Sequence, residues 1–351
     1  MIIHYFSPEV GRINNSFSAN AVLGKSHAMY GKKITQQDFD DMANCHSLNE
    51  LVAYLRTRTH YAKNFEAVPN DISAVQIEEI LHINLLEQTE ILCKYEISIG
   101  QKFYQYYIAK NEIQQILTII QLIKKGKPEA YLSVLPAFFS KKSNINLFEF
   151  TSVKSYSDLL KVLKNTDYYI ILAPLSDIFN ESDSYILIEN ALNRHLHSIL
   201  YNIVSHLQTP KDKREIRELA KYKFDMEAIS KIYRLIRLDL ADRPTIKNCI
   251  DSEFTNFSPK EIEMFADSER ARDMVRLIPN TCYKKDFSKV KFDYLEGATD
   301  RMMYIKFSKS FRYSTSPVAV MISYIFLMEN EVKNIVHIVE RIKYKIPPDK
   351  I

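Results

Sequence analysis

Glu79 and His82 come closer to a metal-binding signature than any other pair in the chain. In Glu79-Ile-Leu-His82 the E-x-x-H spacing puts two ligands on one helix face, as in ferritin-like di-metal bundles. Such a site needs a second E-x-x-H and two further glutamates, and the sequence has no second copy. The pair therefore reads as solvent-facing or capping. His195-Leu-His197 places its rings about 200° apart around a helix, which does not suit one metal ion. No G-x-S-x-G, H-E-x-x-H, P-loop or paired C-x-x-C is present, and the carboxylates come as scattered singles rather than as an acid and base pair. The sequence thus names no catalytic, cofactor-binding or metal residue and implies no cofactor. Phe103-Tyr-Gln-Tyr-Tyr107 is the densest of the aromatic clusters. Without interleaved Arg or Lys it does not make a base-stacking platform; it is expected to pack under the helix that follows it.

The elements that hold these residues are read from the whole chain. Six glycines in 351 residues argue against a phosphate loop, a Rossmann crossover or a many-turned sandwich, so the chain is expected to be all-α. Its 47 basic and 43 acidic residues give a net charge of +4, with no basic field of the kind nucleic acid requires. Lys124-Lys125 and Lys141-Lys142 read as solvated helix ends and loops. Cys45, Cys93, Cys249 and Cys282 stand far apart and no secretory leader opens the sequence, a pattern that fits a reducing cytoplasm. No apolar run reaches the roughly 18 residues of a spanning helix.

Three helical stretches align without a gap: Asn111–Lys124, Phe224–Arg237 and Asn330–Lys343. Each carries an acid at its second position (Glu112, Asp225, Glu331). Behind it isoleucines recur at Ile116, Ile229 and Ile335, at Ile119, Ile232 and Ile338, and at Ile123, Ile236 and Ile342, and a base closes each copy at Lys124, Arg237 and Lys343. The i, i+3, i+7 spacing draws one apolar stripe. Thr-x-Tyr keeps the same beat at Thr59/Tyr61, Thr166/Tyr168 and Thr281/Tyr283, as do Glu78, Glu189 and Glu296. A step of roughly 110 residues gives three helical units: 1–107, 108–221, and 222–351 with a closing helix. An acid repeated three times reads as a structural tie, because an active site needs only one.

Within the units, Thr35-Gln-Gln-Asp38, Ser47-Leu-Asn-Glu50, Ser155-Tyr-Ser-Asp158 and Ser258-Pro-Lys-Glu261 read as helix starts with capping boxes. An opening helix over Ile13–Tyr30 stops at Gly31-Lys32-Lys33. Long helices are expected over Ser73–Glu96, Ser184–His206 and Lys289–Phe311, with Gln208–Arg214 as an exposed connection. The last acid-led helix has no unit behind it. It is expected to pack back on the first unit and close a ring.

This pattern resembles the C subunit of bacterial and archaeal V-type ATPases, called the d subunit in the eukaryotic enzyme. The likeness rests on the threefold helical repeat, on Asn20-Ala-Val-Leu and Gly31-Lys32-Lys33-Ile34, on Leu51 through Thr59-His60-Tyr61, and on the closing stretch from Glu329 to Ile335 and Pro347 to Ile351. One departure is Val336, which follows Asn334-Ile335 where many relatives carry arginine. The resemblance implies a funnel-shaped, all-helical ring of three related units with pseudo-threefold symmetry. It also implies a non-catalytic central-stalk rotor subunit, peripheral on the cytoplasmic face, which joins the D and F shaft subunits to the membrane proteolipid ring and passes on torque for H+ or Na+ transport. The residues that meet the shaft and the ring are not assigned by sequence. Two other classes stay open: a soluble helical-repeat scaffold for another protein, and a helical enzyme with a metal on Glu79 and His82.

Overall fold

The structure, a computed structural model, describes residues 8–69, 72–240, 242–288 and 295–346. Among these there is no strand. The chain forms two compact units, one of residues 1–104 with 307–351 and one of residues 105–306.

The first unit begins with α1 (Pro8–Tyr30), followed by α2 (Gln36–Ala43), α3 (Leu48–Arg58), α4 (Ala62–Phe65) and the long α5 (Ala74–Tyr95). Thr35 and Asp38 form the expected capping box. Ser47 accepts from the Glu50 N–H, but the Glu50 carboxylate reaches one residue past the cap to the His46 N–H. A further capping box, Ser73 with Gln76, starts α5. The turn into α6 (Gly100–Lys124) is tight. The Glu96 carboxylate accepts from the Ser98 and Ile99 amides, and a Cβ on Gly100 would lie 2.0 Å from the Cys93 carbonyl oxygen.

In the second unit, α7 (Tyr131–Val134), α8 (Ala137–Ser140), α9 (Tyr156–Val162) and α10 (Asp167–Leu172) precede the long α11 (Ser184–Ser205) and α12 (Pro210–Leu238). The stretch from Pro210 is thus helix rather than connection, because a proline at the first helical position gives up only an amide that has no intrahelical partner. The short α13 (Arg243–Lys247), α14 (Pro259–Ala266), α15 (Ala271–Leu277) and α16 (Lys284–Phe287) follow, and α17 (Leu295–Tyr313) and α18 (Pro317–Tyr344) come last in the chain. Ser258 and Glu261 box the start of α14, and Ser155 accepts from the Asp158 N–H at α9. The expected start of α17 at Lys289 lies outside the described residues, as does the Pro347–Ile351 tail.

The three acid-led stretches are the C-terminal halves of α6, α12 and α18, longer helices than the repeat alone indicates. Phe103–Tyr107 therefore lies on α6 itself and not under it, since nothing between Gly100 and Lys124 breaks the helix. Phe103, Tyr106 and Tyr107 are buried. The isoleucine stripe faces the core: Ile116, Ile119, Ile229, Ile232 and Ile335 are fully buried, whereas Ile123, Ile236 and Ile342 are only half-buried as each helix runs out. All three helices end alike. The residue 14 places after the acid is left-handed, Gly126 (φ 67°), Asp239 (φ 52°) and Lys345 (φ 54°). The next N–H returns five residues, Lys127 to Leu122, Leu240 to Leu235 and Ile346 to Arg341, as in a Schellman cap. In the first unit α18 packs back on α1, α2, α3 and α5.

Candidate functional site

The repeated acids and the repeated tyrosines are two ends of the same contact. Glu112 on α6 accepts from the Tyr168 hydroxyl at 2.7 Å, from Ser143 Oγ at 2.9 Å and from the Asn144 N–H. Asp225 on α12 accepts from the hydroxyls of Tyr283 and Thr255 and from the Asn256 N–H at 3.0 Å. Glu331 on α18 accepts from the Tyr61 hydroxyl at 3.1 Å, His60 Nε2 at 2.7 Å and the Ile34 N–H at 2.9 Å. All three acids are buried, at 2%, 1% and 6% exposure. A carboxylate so placed is costly unless its lone pairs are filled, and each of these has at least three donors.

The local sequence builds the donors. Ile34 stands just before the cap of α2, while Asn144 and Asn256 stand two residues before the caps Asn146 and Ser258. In those two copies the extra residue makes a hydroxyl turn: Ser143 and Thr255 accept from the Ile145 and Phe257 amides and donate to the acid. The first copy lacks that residue, and His60 supplies the third donor. The threonine of each Thr-x-Tyr donates to a carbonyl three or four residues back, Leu55, Leu163 and Ile278. This fixes the turn from which the tyrosine points inward.

Electrostatics keep the phenols as donors. Burial first, then the adjacent carboxylate, hold Tyr61, Tyr168 and Tyr283 far above the usual tyrosine range, because ionising them would place two anions in one dry site. Burial also raises Asp225, against the opposing pull of Thr255, Tyr283 and Asn256.

The basic ends of the same helices form a second tie. Lys124 Nζ donates to the Phe179 and Glu181 carbonyls and, at 2.6 Å, to Ser184 Oγ at the start of α11. Arg237 lies 3.9 Å from Glu296 at the start of α17. Glu78 on α5 is raised by burial and by Glu340, with Lys343 acting against them. Glu189 pairs with Lys231 of α12. Glu189 and Glu296 thus pair with bases of α12, while Glu78 feels the charge of Lys343 on α18.

The other candidates are not brought together. His82 is exposed and Glu79 half-buried on α5, and among the described residues no three His, Cys, Asp or Glu converge on a metal-sized point. On α11, His195 meets the Tyr168 ring edge-on at 6.0 Å, and His197 stacks on Phe224 at 3.5 Å. Burial lowers the His197 pKa to about 4. The cysteines are free, and burial raises the thiol of each, Cys93 to about 12. Lys125, Lys141 and Lys142 are exposed. A surface groove of about 570 Å³ beside Lys124 counts the stacked Tyr156 and Phe179 among its lining residues. Sequence reading missed His60, Ser143, Thr255 and Lys231. A hydroxyl one residue before Asn144 and Asn256 was the available signal.

Helices whose buried acids are spent on holding short helices and loops in place define an all-α protein whose polar core residues do architectural work. Residues 22–351 match the family model of the ATP synthase (C/AC39) subunit, and the chain belongs to that family. It is 23% identical over 258 residues to the A-type ATP synthase C subunit of Methanosphaera stadtmanae, covering 73% of this chain and 64% of that protein. It is 20% identical over 342 residues to the protein of the same name from Pyrococcus horikoshii, covering 92% of this chain and 86% of that protein. The chain thus spans a little under two thirds of the length of the first relative and most of the second. Among the described residues no helix is long and apolar enough to cross a membrane.

Proposed function

We propose that this chain is a non-catalytic rotor subunit of a V/A-type ATPase, seated on the cytoplasmic face of the membrane. In this reading it receives the D and F shaft subunits and joins them to the proteolipid ring, so that torque passes between ATP turnover and H+ or Na+ movement. The observation that carries the reading is the family match over residues 22–351, the length that holds all three acid contacts. Those contacts supply the stiffness that a torque adaptor needs. Each acid-led helix is held at its acid by a tyrosine and a loop amide, while its base lies beside the start of a long helix. Close-packed helices with few glycines deform little. The units 1–107, 108–221 and 222–351 would then stand around a pseudo-threefold axis as a funnel, with the Glu331 contact closing the ring.

The test is to tag the chain in its native host, extract membranes in mild detergent, wash with salt and identify what stays bound by mass spectrometry. The proteolipid and both shaft proteins are expected in stoichiometric amounts. Recovery of a soluble protein without any ATPase component, from cells that make the ATPase, would refute the reading and favour a scaffold.

A further inference from the structure

The stretch between α6 and α9 carries apolar side chains that the core does not use. Tyr131 of α7 turns inward and meets Phe150 at 5.6 Å, with both rings fully buried. This packs α7 against the turn at Leu147–Ser152. In the same stretch Leu132 is 68% exposed, Val134 48% and Phe148 55%, and Leu135, Pro136 and Phe138 are half-exposed. Six apolar residues in one short stretch are more than scattered surface residues account for. Four exposed lysines flank them, Lys125, Lys127, Lys141 and Lys142, against Glu129 and Glu149. Glu149 already accepts from the Asn146 side-chain amide at 2.7 Å.

We propose that Leu132, Val134 and Phe148, flanked by these lysines, form a docking surface for an anionic lipid bilayer. Apolar side chains that enter the headgroup boundary beside lysines that meet anionic headgroups are the two components of interfacial membrane binding. The excess of lysine over glutamate favours an anionic lipid face over a neutral one, and each lysine near such a surface is worth about a fivefold gain in partition. The surface lies within residues 105–306, so the purified chain is expected to bind vesicles by itself. Its failure would therefore leave the rotor reading untouched.

The experiment uses the full chain with vesicles of phosphatidylcholine, with and without phosphatidylglycerol. Because the chain has no tryptophan, Phe148→Trp introduces a single reporter at the patch. Partition onto the phosphatidylglycerol vesicles, a blue-shifted emission and quenching by brominated lipid are expected, with loss of binding as salt rises. Leu132→Ser should weaken partition about tenfold, as apolar burial is lost. Lys125→Gln with Lys141→Gln should weaken it by roughly 25-fold. Both changes are at exposed positions, and unchanged helical circular dichroism confirms the fold. No saturable partition, or an unquenched emission from the introduced indole on anionic vesicles, would overturn the proposal and leave the patch to a protein partner. Equal binding to neutral vesicles at all salt concentrations would also overturn it.

Discussion

Removing one oxygen from Tyr168 should cost far more than its size suggests. Tyr168→Phe keeps the ring in its buried place and deletes only the hydroxyl that donates to Glu112 at 2.7 Å. A hydrogen bond to a charged acceptor contributes roughly 1.5–3 kcal/mol, so the expected loss is about 2 kcal/mol. A unit of about 200 residues has an unfolding entropy near 0.4 kcal/mol per kelvin, which converts that loss to a fall of about 5 °C in its melting midpoint. Glu112→Ala leaves the Ser143 hydroxyl, the Asn144 amide and the Tyr168 phenol without their acceptor. It should cost about 4 kcal/mol, as for other broken buried polar contacts. The double variant should cost no more than Glu112→Ala alone, because the phenol has no partner left to lose. Calorimetry and urea unfolding of the four proteins close the cycle, with Tyr344→Phe, 63% exposed, as the control. A Tyr168→Phe loss no larger than the control, or full additivity in the double variant, would refute the idea that the acid and tyrosine form one contact.

Four further outcomes follow from the same structure. Glu331→Ala should speed hydrogen exchange at the Ile34 amide, whose acceptor it removes, and protection equal to wild type would contradict the closing contact. Because burial lowers the folded-state pKa of His197 to about 4, the unfolded chain binds its proton first. Stability should then fall by up to about 1.4 kcal/mol per pH unit as pH drops from about 6.5 towards 4, and His197→Phe should flatten that slope in urea titrations at stepped pH. Gly100→Ala drives a Cβ onto the Cys93 carbonyl and should lower stability by about 2 kcal/mol or more in urea unfolding. Asp239→Gly should raise stability by up to about 1 kcal/mol, since the left-handed cap conformation suits glycine; a lower melting midpoint would count against the shared helix ending.

Much of the fold was legible because period and caps are local. The isoleucine stripe, the caps at Thr35 and Ser258, and α5 and α11 follow from spacing within one or two turns. The acids and Thr-x-Tyr were visible as marks in register, but their pairing was not. Glu331 meets Tyr61 across 270 residues of sequence, and no local pattern encodes that distance. The N-terminal halves of α12 and α18 were missed for a related reason. Pro210 reads as part of an exposed connection, yet at a first turn proline is tolerated, there as at Pro317. His60 was hidden because it does in one copy what a hydroxyl does in the other two.

The rotor reading is tested most directly by fixing this chain covalently to the proteolipid ring in the assembled complex and following ATP turnover and ion pumping together. A rotor component turns with the ring, so the cross-linked complex should keep both activities and their coupling, and reversal of the link should change neither. Loss of ATP-driven pumping on cross-linking, regained when the link is cut, would show that chain and ring must move past each other, and would contradict the proposed role.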